Sequence, residues 1–164
     1  MTYCITLEQN TLRFAAAHFA TFGGDCEPLH GHNYGVTLEL SGPLTLESWV
    51  LDFSEAKRIA RAICKEVDHK FILQTESRVL AVERSETVYE IVFRDRRYVM
   101  PVGDVAPLPI DNSTAERLAE WFAGRVTTEL AGRGITNIQR VSVGIEEAPG
   151  QAGWYSIDLP EPDS

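Results

Sequence analysis

The sequence predicts an α+β fold on a mainly antiparallel sheet, and three observations predict it. Two segments carry helical apolar periodicity behind capping signals, and most of the other apolar residues alternate with period two. The elements run strands, helix, hairpin, helix, strands, so helices are not interleaved one by one with strands. Two amphipathic helices of this size cover one face of a sheet and leave the other to be covered by something else.

In order along the chain, residues 2–7 and 11–19 are expected to be strands, with Gln9-Asn10 offering the turn of one hairpin. Residues 23–28 form a loop by composition. Residues 34–40 put Tyr34, Val36, Leu38 and Leu40 on one face of a half-buried strand, which Ser41-Gly42-Pro43 ends. Asp52-Phe-Ser-Glu55 has capping-box spacing, followed by a stripe of Phe53, Ala56, Ile59, Ala60, Ile63 and Val67. An extra hairpin is expected between the helices, its two strands (88–93 and 97–100) flanking Arg94-Asp95-Arg96, within an insertion of about residues 75–110. Ser113-Thr-Ala-Glu116 reads as a second capping box, with Ala115, Leu118, Ala119, Phe122, Val126 and Leu130 behind it and Gly132 and Gly134 at the exit. Val141, Val143 and Ile145 alternate in a late strand, and residues 154–159 form the last one.

The 164 residues suit one domain, 1–164, with its own core. Acidic residues outnumber basic ones, 24 to 15, and no dense Lys/Arg tract is present, which argues against a nucleic-acid partner. No apolar run approaches bilayer length, and Met1-Thr2-Tyr3-Cys4 begins no secretory signal, so neither a membrane nor a secreted location is expected. Cys4, Cys26 and Cys64 are odd in number and widely spaced, as in a reduced cytoplasmic protein.

Chemistry concentrates near His18, His30 and His32. His30-Gly31-His32 has i, i+2 spacing, which on an extended segment aims both imidazoles to one side, and Gly31 admits close approach of another group. His18 ends the preceding extended segment, and the loop can return it beside them. Three imidazoles with no obvious fourth protein ligand fit a catalytic zinc site with an open position. Iron and copper also accept such ligands, and three ordinary packed histidines are the plain alternative. Cys26, in a Gly-Gly-Asp-Cys-Glu-Pro loop, is a poor candidate for core and a candidate fourth ligand, base or nucleophile. Asp68 and His69 are adjacent, so their side chains need not meet, and a histidine at a helix C-terminus is favoured by the macrodipole alone. Glu147 is either half of a solvated acidic pair with Glu146 or a carboxylate for a ring with neighbouring N–H donors.

Taken in order, Phe14-Ala-Ala-Ala-His18, Cys26-x-x-x-His30-Gly-His32-x-Tyr34, Asp52-Phe53, Asp68-His69, Thr114-Ala-Glu116 and Val143-x-Ile145-x-Glu147 resemble the 6-pyruvoyl- and 6-carboxy-tetrahydropterin synthase family. The resemblance runs from about residue 13 to Tyr155 and leaves residues 75–110 largely outside. It implies a tunnelling fold, ββααββ subunits assembled into a barrel, commonly a hexamer with active sites between subunits. It implies 7,8-dihydroneopterin triphosphate as the pterin substrate and zinc as the metal. By position, His18, His30 and His32 match the zinc ligands. Cys26, Asp68 and His69 match the catalytic groups, Glu147 the carboxylate that anchors the ring, and Thr114 the segment lining its pocket.

The chain departs from the pattern in four places. Glu27 follows Cys26 directly. In one branch of the family such a glutamate goes with aldolase-like cleavage to 6-hydroxymethyl-dihydropterin, a folate precursor, although a solvated loop glutamate looks the same in sequence. Ala148 stands where many relatives have Thr, and Lys-Phe-Ile-Leu-Gln follows His69. The added hairpin could cap the site or extend the barrel edge; its Arg94, Arg96 and Arg97 could reach a triphosphate, but a solvated turn is the simpler expectation. The implied products are the 6-carboxy compound of the queuosine route, the 6-pyruvoyl compound of the biopterin route, or the folate-type fragment. A non-catalytic pterin- or purine-binding protein on the same scaffold is the alternative outside enzymes.

Overall fold

The computed structural model describes residues 1–8 and 10–160. These form β1 (Tyr3–Leu7), β2 (Arg13–His18), β3 (Thr21–Phe22), β4 (Asp25–Cys26), β5 (His30–Gly42), α1 (Phe53–Val67) and β6 (Lys70–Gln74). They continue with β7 (Ala81–Arg84), β8 (Val88–Phe93), β9 (Arg96–Pro101), β10 (Val105–Leu108), α2 (Ala115–Gly132), β11 (Arg140–Ala148) and β12 (Gln151–Asp158).

The architecture is α+β, as the periodicity implies. Its organiser is β5, whose alternation extends backward beyond Tyr34 to His30. One edge of β5 pairs antiparallel with β2 and then β1, and the other pairs with β11, which carries β12. The expected hairpin around residues 9–10 does not form. Instead β1 and β2 follow one another along the same edge, because the thirteen residues of β5 supply a ladder for both. Gln9 itself lies outside the described residues.

Tyr34, Val36, Leu38 and Leu40 are buried with Val141, Val143 and Ile145 of β11. Both helices close over them with the expected stripes, except that Phe53 is half exposed at the first position of α1. Asp52 caps α1, accepting from the N–H groups of Ser54 and Glu55 at 2.8 and 3.1 Å. The cap of α2 is Thr114 rather than Ser113.

Two strands escape the sequence pattern. β6 joins the main sheet parallel to β2, and β10 pairs parallel with β6. Phe71-Ile72-Leu73 is a continuous apolar run because both of its faces are covered: Ile72 enters the main core and Phe71 and Leu73 a second one. The insertion is more than a hairpin. β7, β8 and β9 form a three-stranded antiparallel sheet, whose Tyr89, Ile91 and Phe93 build that second core against Phe19, Phe71 and Leu73.

Candidate active site

The site lies at the open end of the main core layer. Residues 14, 16 and 18 of β2 share a face with residues 32, 34 and 36 of β5, and His18 stands directly opposite His30. The period that buries Tyr34, Val36 and Leu38 therefore aims His32 and His30 the same way, so the core layer ends in imidazoles. Gly31 permits this closeness, since a Cβ there would sit 3.0 Å from the Ala16 carbonyl oxygen of β2. The ligand atoms of His18, His30 and His32 lie within 4.8 Å of one another.

The surroundings prepare these rings for a cation. His18 Nδ1 donates to the Ser113 carbonyl at 3.0 Å and lies 3.1 Å from its hydroxyl, which itself donates to Phe19 O. His30 Nδ1 donates to Pro28 O at 2.8 Å. Each bond leaves Nε2 as the lone-pair nitrogen and fixes the ring's orientation, as a backbone carbonyl behind a metal-binding imidazole does. The buried His18 Nε2 has no hydrogen-bond partner within the protein. Burial, then repulsion from His30, holds the His18 pKa down at about 4, which keeps it in the neutral, ligating form. These residues fit a three-nitrogen metal site.

Ser113 is a residue whose role the sequence hid. It reads as a helix cap, but its hydroxyl and carbonyl go to Phe19 and His18, while Thr114 Oγ1 takes over the capping contact to Arg117 N.

A cleft of about 560 Å³ opens from the imidazoles, walled by Glu27, Thr114, Glu116 and Glu147. Glu27 sits on the loop after β4. Its carboxylate accepts from Ala20 N at 3.1 Å and lies 4.0 Å from His30 Nε2. Burial pushes the Glu147 carboxyl above its usual range, and the nearby His32 partly offsets this. Tyr34 is buried beneath the imidazoles, its ring meeting those of His18 and His32 edge-on at 5.8 and 5.4 Å between centroids. Its buried hydroxyl is unpartnered within the protein, and burial, then the charges of Glu147 and Glu27, raise its pKa. Glu116 reads from sequence as a helix-cap residue, which concealed its place at the cleft.

Cys26 departs from its expectation. It is buried in the second core with Phe19, Phe71 and Phe93, and burial pushes its thiol pKa up. The loop composition suggested exposure, but the insertion, far away in sequence, folds over it. Asp68 and His69 also stand apart from the cleft. Their side chains do meet: His69 Nδ1 lies 3.0 Å from Asp68 Oδ2, because His69 adopts a left-handed φ of 57° that turns its ring back. His69 lines a neighbouring hollow that touches His32 but neither His18 nor His30.

Residues 7–157 match the family model for 6-pyruvoyl tetrahydropterin synthase. A Methanocaldococcus jannaschii protein provisionally named a 6-carboxy-5,6,7,8-tetrahydropterin synthase is 38% identical over 146 residues, covering 88% of this chain and 89% of that protein. A Pyrococcus horikoshii protein with the same provisional name is 34% identical over 142 residues, covering 85% and 82%. The crystal structure of Plasmodium vivax 6-pyruvoyl tetrahydropterin synthase superposes with a TM-score of 0.90 at 30% identity, covering 97% of this chain and 99% of that one. Two further structures of that enzyme, each at TM-score 0.91 and 29% identity, carry alanine or cysteine in place of a glutamate described as a catalytic residue.

Proposed function

This chain belongs to the 6-pyruvoyl tetrahydropterin synthase family, and from that premise we propose that it is a zinc-dependent lyase acting on the side chain of 7,8-dihydroneopterin triphosphate. The observation that carries the reading is one cleft holding three converging imidazoles, Glu27 and Glu147. Zinc on His18, His30 and His32 supplies Lewis-acid polarisation of the substrate's side-chain hydroxyl oxygens. Glu147 suits the pterin ring, whose neighbouring amide and amino N–H groups match the two oxygens of a carboxylate. Glu27 then faces the reacting side chain as its acid/base. The relatives' names favour the 6-carboxy product, with the 6-pyruvoyl product as the related outcome.

One observation favours a second product. Glu27 lines the cleft while the Cys26 thiol is turned into apolar packing, and the Plasmodium vivax enzyme has a glutamate described as a catalytic residue. A carboxylate suits retro-aldol cleavage. The C2′ hydroxyl gives its proton to Glu27, and the C1′–C2′ bond breaks with its electron pair moving into the ring C6=N5 imine. Glu27 then returns the proton to C1′, giving 6-hydroxymethyl-dihydropterin and a triphosphorylated aldehyde.

The test is incubation with 7,8-dihydroneopterin triphosphate and mass-spectrometric identification of products. Glu27→Ala should lower formation of any of these products about a hundredfold or more, while Cys26→Ala, at a thiol packed in the second core, should lower the rate far less. Glu27→Ala with unchanged rate and product ratio would reduce Glu27 to a loop residue. Metal analysis should find about one zinc per chain, lost in His30→Ala and His32→Ala. Full metal content in either variant refutes the assignment of the ligands.

A further inference from the structure

Arg94 and Arg96, expected as a solvated turn, instead grip the loop in front of the metal centre. Arg96 Nη1 donates to Glu27 O at 3.0 Å and Nη2 to Cys26 O at 2.6 Å, with Asp25 Oδ1 at 3.9 Å. Its guanidinium rests on the Phe93 ring, 5.0 Å from the centroid, and Phe93 is anchored in the second core. Arg94 donates to Gly24 O at 2.8 Å and lies 3.6 Å from Asp25 Oδ1. Arg94 holds a φ of 55°, a region that disfavours a long side chain, at the β8–β9 turn that delivers both arginines. Arg97 is different: it pairs with Glu90 across the same strands and touches nothing of the loop in those contacts.

We propose that Arg96 is a positioning residue, which sets the aim of the Glu27 carboxylate by fixing the peptide groups on both sides of the Glu27 Cα. This rests on Glu27 being the acid/base. The loop is short of regular structure: β3 and β4 are two-residue strands joined by Gly23 and Gly24, both at positive φ, and besides Arg96 the Glu27 residue is tied to Ala20, whose carbonyl accepts from Glu27 N at 3.0 Å and whose N–H donates to the carboxylate at 3.1 Å. Two successive carbonyls need two diverging donors on one rigid plane, which guanidinium has and ammonium lacks. The insertion thus acts on the chemistry through a backbone clamp.

A mutant cycle of Glu27→Ala, Arg96→Met and the double variant tests this in the full-length, zinc-loaded protein. Met keeps contact with Phe93 and removes the donors. Arg96→Met should lower kcat about 10- to 100-fold, the cost of a misaimed catalytic group, with KM within about threefold. Zinc content and oligomeric state should not change. In the Glu27→Ala background the same substitution should cost less than about twofold, because nothing is left to aim. Arg96→Lys should fail nearly as badly as Arg96→Met, and it decides the question by the same criteria if the Met variant does not fold. A kcat within twofold of the parent beside an inactive Glu27→Ala overturns the positioning role and leaves the proposed function standing. Additive losses in the double variant, or loss of zinc with Arg96→Met, also overturn it. Unchanged activity of Glu27→Ala alone would instead remove the acid/base reading, in an arm that does not touch Arg96.

Discussion

Asp68 is fastened on both oxygens. Oδ1 accepts from Ala15 N at 2.8 Å and Oδ2 faces His69. The Ala15 N–H, then the His69 contact, hold its carboxyl below the usual carboxylate range. A depressed folded pKa contributes stability that is present above the unfolded value, about 3.9, and lost as pH falls through the folded one. Asp68→Asn should therefore destabilise the protein by about 1 kcal/mol at pH 7, a modest figure because the side chain is partly exposed. Urea unfolding across pH should show the gap between parent and variant closing below about pH 4. A gap independent of pH would contradict the account. At this scale the histidines were legible because i, i+2 spacing has one geometric meaning on a strand. Cys26 was not, because its neighbours in sequence say nothing of a sheet that arrives some seventy residues later. Ser113 was misread because a hydroxyl before a helix has two uses, and the cap is the commoner one.

Between elements, the cleft depends on how closely β12 approaches α2. A Cβ added to Gly153 would lie 2.6 Å from Glu116 N and 2.8 Å from Ala115 Cβ, so the strand abuts the first helical turn with no side chain between them. Thr114, Glu116 and Gly153 all line the cleft, so this contact sets its width. Gly153→Ala should displace the turn, costing about 1–3 kcal/mol as overpacking does and raising KM more than it lowers kcat. Thermal unfolding and steady-state kinetics measure both, and an unchanged KM would show that the turn does not shape the substrate site. The helices were readable since each buries a stripe at 3.6-residue spacing. β6 and β10 were not, because strands covered on both faces lose the alternation that identifies a strand.

In the whole molecule, the two helices cover one sheet face, and β12 has only β11 as a paired neighbour among the described residues. Trp154 stands half exposed on that edge strand, an arrangement that invites another chain. Asp68 and His69 lie apart from the cleft that holds Glu27. The sequence resemblance implied sites between subunits, and on that expectation His69, absent from its own chain's cleft, would serve the cleft of a neighbouring copy in a homo-oligomer, expected to be a hexamer. Sedimentation at micromolar concentration should find the oligomer, and an active monomer would refute it. The sharing has a stronger test. Glu27→Ala and His69→Ala chains, each inactive alone, are co-expressed so that mixed oligomers form. If each site takes Glu27 from one chain and His69 from another, random assembly leaves about a quarter of the sites with both groups, and activity returns to about that fraction. If both groups act from the same chain, no mixed oligomer contains an intact site and the mixture stays as inactive as its components.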